Sequence, residues 1–149
     1  MKTPDAFGRA PIVRHSGLRV YQIAFKCATE FFELSGGWPK EERYSLTSQI
    51  RRASRSVCAN IAEAWRKRRD PPHFVSKLSD ADAESAETQT WLAFACKCGY
   101  LTEDNHARLS KAYDNICGSL VKMMDHPEPW CGPASVREEE AAYGEPDSP

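Results

Sequence analysis

The sequence lacks long hydrophobic runs. Its longest unbroken apolar stretch is Trp91–Cys96, far shorter than the roughly 20 residues that span a bilayer. No apolar segment of the kind that a secretory signal requires follows Met1. We therefore expect no membrane partner and a cytoplasmic location. The 149 residues have the length of a single domain with one core.

Motifs that carry catalysis or bind metals are also missing. The sequence has no glycine-rich phosphate loop, no nucleophile elbow and no Cys-His pairing. A di-iron bundle needs two Glu-x-x-His motifs and two further inward glutamates, whereas only the segment from Glu103 to His106 has that spacing. We therefore expect no enzymatic activity, no catalytic residue, no metal and no cofactor.

The six cysteines do not predict a disulfide framework. Without an export signal, thiols are expected to stay reduced. Cys96 and Cys98 are too closely spaced for a zinc knuckle, and no second pair of ligands follows them. We interpret all six as small core or interface residues: Cys27, Cys58, Cys96, Cys98, Cys117 and Cys131.

Signals for β-strands are few, because the sequence has no Asn-Gly or Asp-Gly turn and no alternating run of useful length. Apolar residues recur instead at intervals of three and four over residues 18–34, 46–68, 72–98 and 102–126, which predicts four helices. Short loops between them favour an all-α fold, an antiparallel up-down-up-down four-helix bundle over residues 17–126. We predict a flexible arm at residues 1–16 and a disordered, acidic, proline-rich tail at residues 127–149.

The apolar stripe of each helix predicts its core residues. Helix 1 has Tyr21, Ala24, Phe25, Ala28, Phe31 and Phe32. Helix 2 has Leu46, Ile50, Ala53, Val57, Ile61 and Ala64. Helix 3 has Phe74, Leu78, Ala81, Ser85, Thr88, Leu92 and Ala95, a coiled-coil-like spacing with small residues in its middle. Helix 4 has Leu109, Tyr113, Ile116, Leu120 and Met123.

Capping residues predict where the helices begin and end. A glycine of the segment Ser35–Pro39 is predicted to end helix 1 in the left-handed conformation, and Gly99 is predicted to end helix 3. Ser45 and Thr102 are the predicted N-caps of helices 2 and 4.

Charge is distributed unevenly along the chain, although the net charge is −1. Residues 1–125 carry 19 basic and 15 acidic side chains, whereas residues 126–149 carry one basic and six acidic ones. The body therefore has a charge of +4 and the tail a charge of −5. This acidic tail is interpreted as a solubilising segment or as a screen that folds over basic residues of the body.

Basic side chains are concentrated in and around helix 2. Between residues 43 and 69 there are eight basic side chains and a single acidic one, Glu63. At 100° per residue, five of the arginines fall opposite the apolar stripe; we call this set the arginine ridge, and it consists of Arg51, Arg52, Arg55, Arg66 and Arg69.

Three interpretations of the arginine ridge remain open. In the first, the ridge is only a solvated surface. In the second, it binds the phosphate backbone of RNA or DNA. In the third, it packs against a partner helix, since small residues lie between the arginines. Helix 3 offers a matching acidic line of Asp80, Glu84 and Glu87, and the two could pair within one protomer or between protomers.

Four polar residues lie between the core and the basic side of helix 2: Gln49, Ser56, Asn60 and Glu63. Polar groups inside a helix are costly unless they are hydrogen-bonded. We interpret them as a structural polar network that holds helix 2 to its neighbours. The alternative is a ligand or nucleic-acid site.

Three blocks of sequence resemble a known family. They are LTSQIRRA at residues 46–53, SVCANIAE at residues 56–63, and the segment from Ala86 to Leu101. In order and spacing they are similar to the 23S rRNA-intervening-sequence proteins, also called four helix bundle proteins, over about residues 17–125. The family usually has proline where Cys58 stands and glycine where Ala64 stands.

This resemblance implies an up-and-down bundle that assembles into a ring-like homopentamer, without an established enzymatic activity. It also implies kinship with the accessory variability proteins of diversity-generating retroelements, similar bundles thought to bind nucleic acid and a reverse transcriptase. Our leading hypothesis is a non-catalytic homo-oligomer that binds RNA or DNA backbone through the arginine ridge. The alternative is a structural adaptor whose charged helix faces contact sister subunits or a protein partner.

Overall fold

Four α-helices make up most of the computed structural model, which describes residues 12–132. They are α1 (Arg19–Ser35), α2 (Leu46–Arg66), α3 (Pro71–Lys97) and α4 (Glu103–Asp125). Short 3₁₀ turns at His15–Gly17 and Lys40–Glu42 precede α1 and α2. Residues 12–132 contain no β-strand, which confirms the all-α prediction. Most of the predicted N-terminal arm and of the predicted tail, residues 1–11 and 133–149, lies outside the described residues.

The helices pack in chain order. Each helix contacts the next one, and α4 returns to α1, so that α2 and α4 lie diagonally across the bundle. This order is the one expected when consecutive helices are joined by short loops. None of the four helices in residues 12–132 combines the length and apolar character needed to cross a membrane.

The core of three helices matches the sequence pattern. Every predicted stripe residue of α2, α3 and α4 is buried. Ser85 and Thr88 lie in the middle of the buried seam of α3, where their hydroxyl groups donate to the carbonyl oxygens of Ala81 and Glu84, each at 2.8 Å. These bonds to their own helix let small polar residues occupy the core without an unpaired hydroxyl.

The stripe of α1 differs from the prediction. Ala24, Ala28 and Phe31 are buried, but Phe25 and Phe32 are 56% and 50% exposed, so their assignment to the core was wrong. Val20 and Cys27 are buried in addition. The apolar surface of α1 is wider than the strip that α2 and α4 cover, and its outer edge therefore faces away from the core.

The helix ends depart from the predicted caps at two of the four positions. The hydroxyl of Thr102 accepts from the amide of Asn105 at 3.1 Å, and Gly99 has a positive φ of 77°, as predicted. Ser45 is the N-cap residue of α2, but the carboxylate of Glu42 takes over the capping and accepts from the amide of Leu46 at 3.1 Å. Gly36 has a φ of −61° and Gly37 has no positive φ either, so the predicted left-handed end of α1 is wrong.

All six cysteines are free thiols. Cys27 in α1 and Cys58 in α2 are buried, and burial raises the pKa of each thiol to about 11. Cys98, just after α3, is exposed. The two buried thiols therefore act as small apolar core groups.

Candidate nucleic-acid interface

Four of the five ridge arginines are exposed to solvent, three on the outward surface of α2 and one, Arg69, in the turn that follows it. The buried positions of this helix recur every three or four residues from Leu46 to Ala64, which fixes its orientation on the core. The exposed arginines are Arg52, Arg55, Arg66 and Arg69. Glu63, the single acidic residue of α2, accompanies them on this helix.

Arg51 occupies a different place from the one predicted, because it binds the end of α1. Its Nε donates to Ser35 Oγ at 2.8 Å and its Nη2 donates to the carbonyl oxygen of Phe32 at 3.2 Å. The guanidinium also lies 4.6 Å from the centre of the Phe32 ring. The last carbonyls of a helix lack partners inside the helix and favour a nearby cation. Arg51 is thus a capping residue of α1, and the ridge is reduced to four exposed members.

Arg55 stands at the edge of an apolar groove between α1 and α2. Its guanidinium lies 5.8 Å from the centre of the Phe32 ring, and the groove has a volume of about 530 Å³. The exposed edge of α1 forms one wall, while Cys58 and two alanines of α2 form the other. The lining residues are Tyr21, Phe25, Ala28, Thr29, Phe32, Arg55, Cys58, Ala59 and Ala62.

The end of α2 holds a buried arginine that the sequence analysis did not single out. Arg68 is 2% exposed, its Nη1 donates to the carbonyl oxygen of Trp65 at 2.7 Å, and its guanidinium lies 3.6 Å from the centre of the Trp65 ring. Spacing could have revealed it, since position 68 continues the core stripe that runs through Ile61 and Ala64. The neighbouring Arg66 and Arg69 also have interaction partners.

Both ends of the described chain meet at this point. Trp65 Nε1 donates to the carbonyl oxygen of Val13 at 3.1 Å. After α4 the chain returns, so that the Trp130 and Trp65 ring centres are 6.4 Å apart, and the amide of Gly132 donates to the carbonyl oxygen of Arg68 at 3.0 Å. The end of α2 therefore anchors the segments before α1 and after α4.

The four polar residues of α2, Gln49, Ser56, Asn60 and Glu63, make separate and mostly local contacts. Asn60 Nδ2 donates to the carbonyl oxygen and to Oγ of Ser56, at 2.9 and 3.1 Å, which keeps both side chains on their own helix. Glu63 forms an ion pair with Lys77 of α3 at 2.8 Å. Gln49 is half-buried near the start of α2 and takes no part in these contacts. Only Glu63 thus ties α2 to a neighbouring helix through these described bonds.

Glu84, the middle residue of the acidic line of α3, interacts electrostatically with Arg52 of the ridge in the same chain. Burial raises the pKa of Glu84, repulsion from Glu87 and Asp80 raises it further, and the positive charge of Arg52 lowers it. The ion pair of Lys77 with Glu63 extends to Asp80 at 3.8 Å. Contact between α2 and α3 therefore places some of the predicted basic and acidic groups beside each other inside one protomer.

Metal ligands are not grouped in the part of the chain that the structure describes: residues 12–132 contain no cluster of three or more His, Cys, Asp or Glu side chains. The Glu103–His106 motif begins at the first residue of α4, where Glu103 is exposed.

Comparison with known proteins supports the architecture. A solved structure from Bacteroides thetaiotaomicron, described as a protein of unknown function from the S23 ribosomal protein family, superposes with a TM-score of 0.64 at 24% identity, over 71% of this chain and 95% of that one. No curated protein matches the sequence. The profile of the 23S rRNA-intervening sequence proteins matches residues 16–122. The chain therefore belongs to the 23S rRNA-intervening sequence protein family.

Proposed function

We propose that the protein is a non-catalytic, homo-oligomeric bundle that binds the phosphate backbone of RNA or DNA through Arg52, Arg55, Arg66 and Arg69. The observation that carries this proposal is the exposure of these four guanidiniums on α2 and on the turn that follows it, while Glu63, the single carboxylate of α2, is held by Lys77. Guanidinium groups bind phosphate oxygens in a bidentate manner. The name of the family, which refers to 23S rRNA, is consistent with such a ligand.

Assembly of several copies strengthens the proposed binding to nucleic acid. A homo-oligomer presents the same arginines several times, and several weak contacts to one polyanion add up through effective concentration. The binding is independent of sequence, because phosphate contacts position a nucleic acid without reading its bases. It is also sensitive to salt, since each neutralised phosphate releases counterions.

The test compares two double variants by fluorescence anisotropy with a labelled 20-nucleotide RNA, single-stranded and duplex. Arg52→Ala/Arg55→Ala removes two ridge charges, and Lys111→Ala/Lys122→Ala removes two exposed charges from α4 on the diagonal helix. We expect the ridge variant to lose about tenfold or more in affinity at 50 mM salt and the control much less. Equal losses in both variants, or no salt-sensitive binding of the unaltered protein, would contradict the proposal.

A second candidate function is supported by the apolar groove between α1 and α2. A surface that exposes Phe25 and Phe32 by half is typical of an interface. A second, shallow apolar depression lies on the outside of α3 around Phe94, which is 55% exposed. Two different patches can join copies head to tail, and such contacts close into a ring when the rotation allows it. In this function the bundle is a structural adaptor or scaffold.

Complementation between variants tests the head-to-tail arrangement. Phe32→Glu disables the groove and Phe94→Glu disables the depression on α3, so each variant alone is expected to be monomeric by native mass spectrometry. A mixture of the two retains one intact pair of patches and forms a heterodimer without larger assemblies. Val121→Glu, at a residue of α4 that is 44% exposed, is the control that keeps the native mass. Unchanged assembly of both phenylalanine variants would exclude these patches.

A further inference from the structure

The segment that follows Gly132 begins beside the arginine ridge. Trp130 packs on Trp65, and the amide of Gly132 donates to the carbonyl oxygen of Arg68 at 3.0 Å. Arg68 is itself buried against the Trp65 ring, so this attachment involves a packed side chain as well as a backbone bond. The chain beyond Gly132 therefore starts at the end of α2 that carries Arg66 and Arg69.

The charge of this segment is opposite to that of the ridge. Residues 133–149 contain five acidic side chains and one basic side chain, Arg137. Three of the acids are consecutive, Glu138–Glu140. A carboxylate row of this kind is chemically similar to a short run of phosphates, since both accept hydrogen bonds from guanidinium groups.

The length of the segment matches the ridge. Glu138 is six residues and Glu140 eight residues beyond Gly132, which gives a reach of about 20 to 29 Å for an extended chain. Arg55 precedes Arg68 by thirteen residues, or about 20 Å at the rise of an α-helix. The three glutamates can therefore reach every position from Arg69 back to Arg55 without detaching the turn at Trp130.

We propose that Glu138–Glu140 dock on the exposed arginines of α2 in the same chain and compete there with nucleic acid. The tail is then an internal ligand of the ridge, and its local concentration is set by the short connection to Gly132. A long polyanion displaces it, because a polyanion contacts more arginines than three carboxylates do. The competition rests on the proposed nucleic-acid function, whereas the docking of the tail does not.

Carboxylate-to-amine coupling tests the docking without any nucleic acid. Lys67 is exposed between the ridge residues Arg66 and Arg69, so a carbodiimide should join it to Glu138, Glu139 or Glu140 of the full chain at 50 mM salt. Lys67→Arg, which cannot be coupled, is the control, and a mixture of ¹⁴N- and ¹⁵N-labelled protein distinguishes coupling within a chain from coupling between chains. Absence of the product, or a product between chains only, overturns the proposal.

RNA binding tests the competition. Glu138→Gln/Glu139→Gln/Glu140→Gln should bind a labelled 20-nucleotide RNA about tenfold more tightly than the unaltered protein at 50 mM salt, with the difference vanishing near 500 mM salt. The control Glu103→Gln/Asp104→Asn/Asp125→Asn removes the same charge from exposed positions of α4. Equal tightening in both variants overturns the competition. If no variant binds RNA, the proposed function fails, and the coupling experiment still decides the docking.

Discussion

Some charged residues of this bundle stabilise the fold although their charge suggested a role in binding. Arg51 and Arg52 are neighbours in sequence, yet Arg51 is half-buried and bonded to the end of α1 while Arg52 is exposed. The difference follows from the 100° between successive residues of a helix, which turns one arginine towards α1 and leaves the other in solvent. A cluster of arginines is therefore not a uniform surface.

Replacing Arg51 should destabilise the protein more than replacing Arg52. Arg51→Ala removes the two hydrogen bonds that the guanidinium donates to Ser35 Oγ and to the carbonyl oxygen of Phe32. We therefore expect the free energy of unfolding to fall by about 1–2 kcal/mol. Arg52→Ala, the matched control, should change it by less than about 0.5 kcal/mol. Urea titration followed by circular dichroism measures both. Similar losses would remove the capping role assigned to Arg51.

The carboxyl of Glu84 should make stability depend on pH. Its pKa is raised by burial and by Glu87 and Asp80, so the folded state binds this proton more tightly than the unfolded state does. Its contribution to stability is complete below the unfolded pKa and is lost as the pH rises through the folded pKa. Glu84→Gln is therefore expected to raise the melting temperature at pH 7 and to leave it nearly unchanged at pH 3. A fall at pH 7 would indicate that attraction to Arg52 outweighs burial.

At the level of elements, α2, α3 and α4 were predictable because every residue of their three- and four-residue apolar spacing is buried, while exposed apolar residues such as Phe94 and Val121 lie off that spacing. The core residues of α1 were not predictable, because its apolar residues cover more surface than α2 and α4 can bury. The spacing of these residues does not show which edge of that surface stays exposed. For the candidate site, the exposed arginines followed from the phase of α2. The role of Arg51 depends on where α1 ends, and the role of Arg68 depends on where the chain returns after α4. The periodicity of α2 carries no information about either.

The contact between α2 and α3 includes one ion pair whose energy can be isolated. Glu63 and Lys77 are 2.8 Å apart, with side chains 54% and 33% exposed. A double-mutant cycle with Glu63→Gln and Lys77→Met should give a small favourable coupling, because solvent screens a pair at this exposure. The coupling should shrink in 0.5 M salt. A value that is insensitive to salt would mean that packing rather than charge joins these side chains.

As a whole molecule, the bundle has one core shared by four helices. The buried thiols Cys27 and Cys58 lie on α1 and α2, and their pKa values of about 11 leave only about a thousandth of each as thiolate at pH 8. Both are thus protected from alkylation by burial and by protonation. Cys98 is exposed and lies outside the core, so burial does not protect it.

Alkylation in urea should therefore report global unfolding. We expect iodoacetamide to modify Cys98 first in the native protein, and Cys98→Ser to remove this early product. Cys27 and Cys58 should become reactive at the same urea concentration, because a single core opens as one cooperative unit. Peptide mass spectrometry after a short pulse measures each thiol. Earlier labelling of Cys27 would show that α1 separates from the other helices before they unfold.

The meeting of Val13 and Gly132 at the end of α2 has a consequence for the order of the chain. Because Trp65 and Arg68, one turn apart, hold both residues, a short linker could join position 132 to position 12. The sequence could then be opened elsewhere, for example between the exposed Gly36 and Gly37. Such a circular permutant keeps every helix and its neighbours, so its circular dichroism spectrum should match that of the parent.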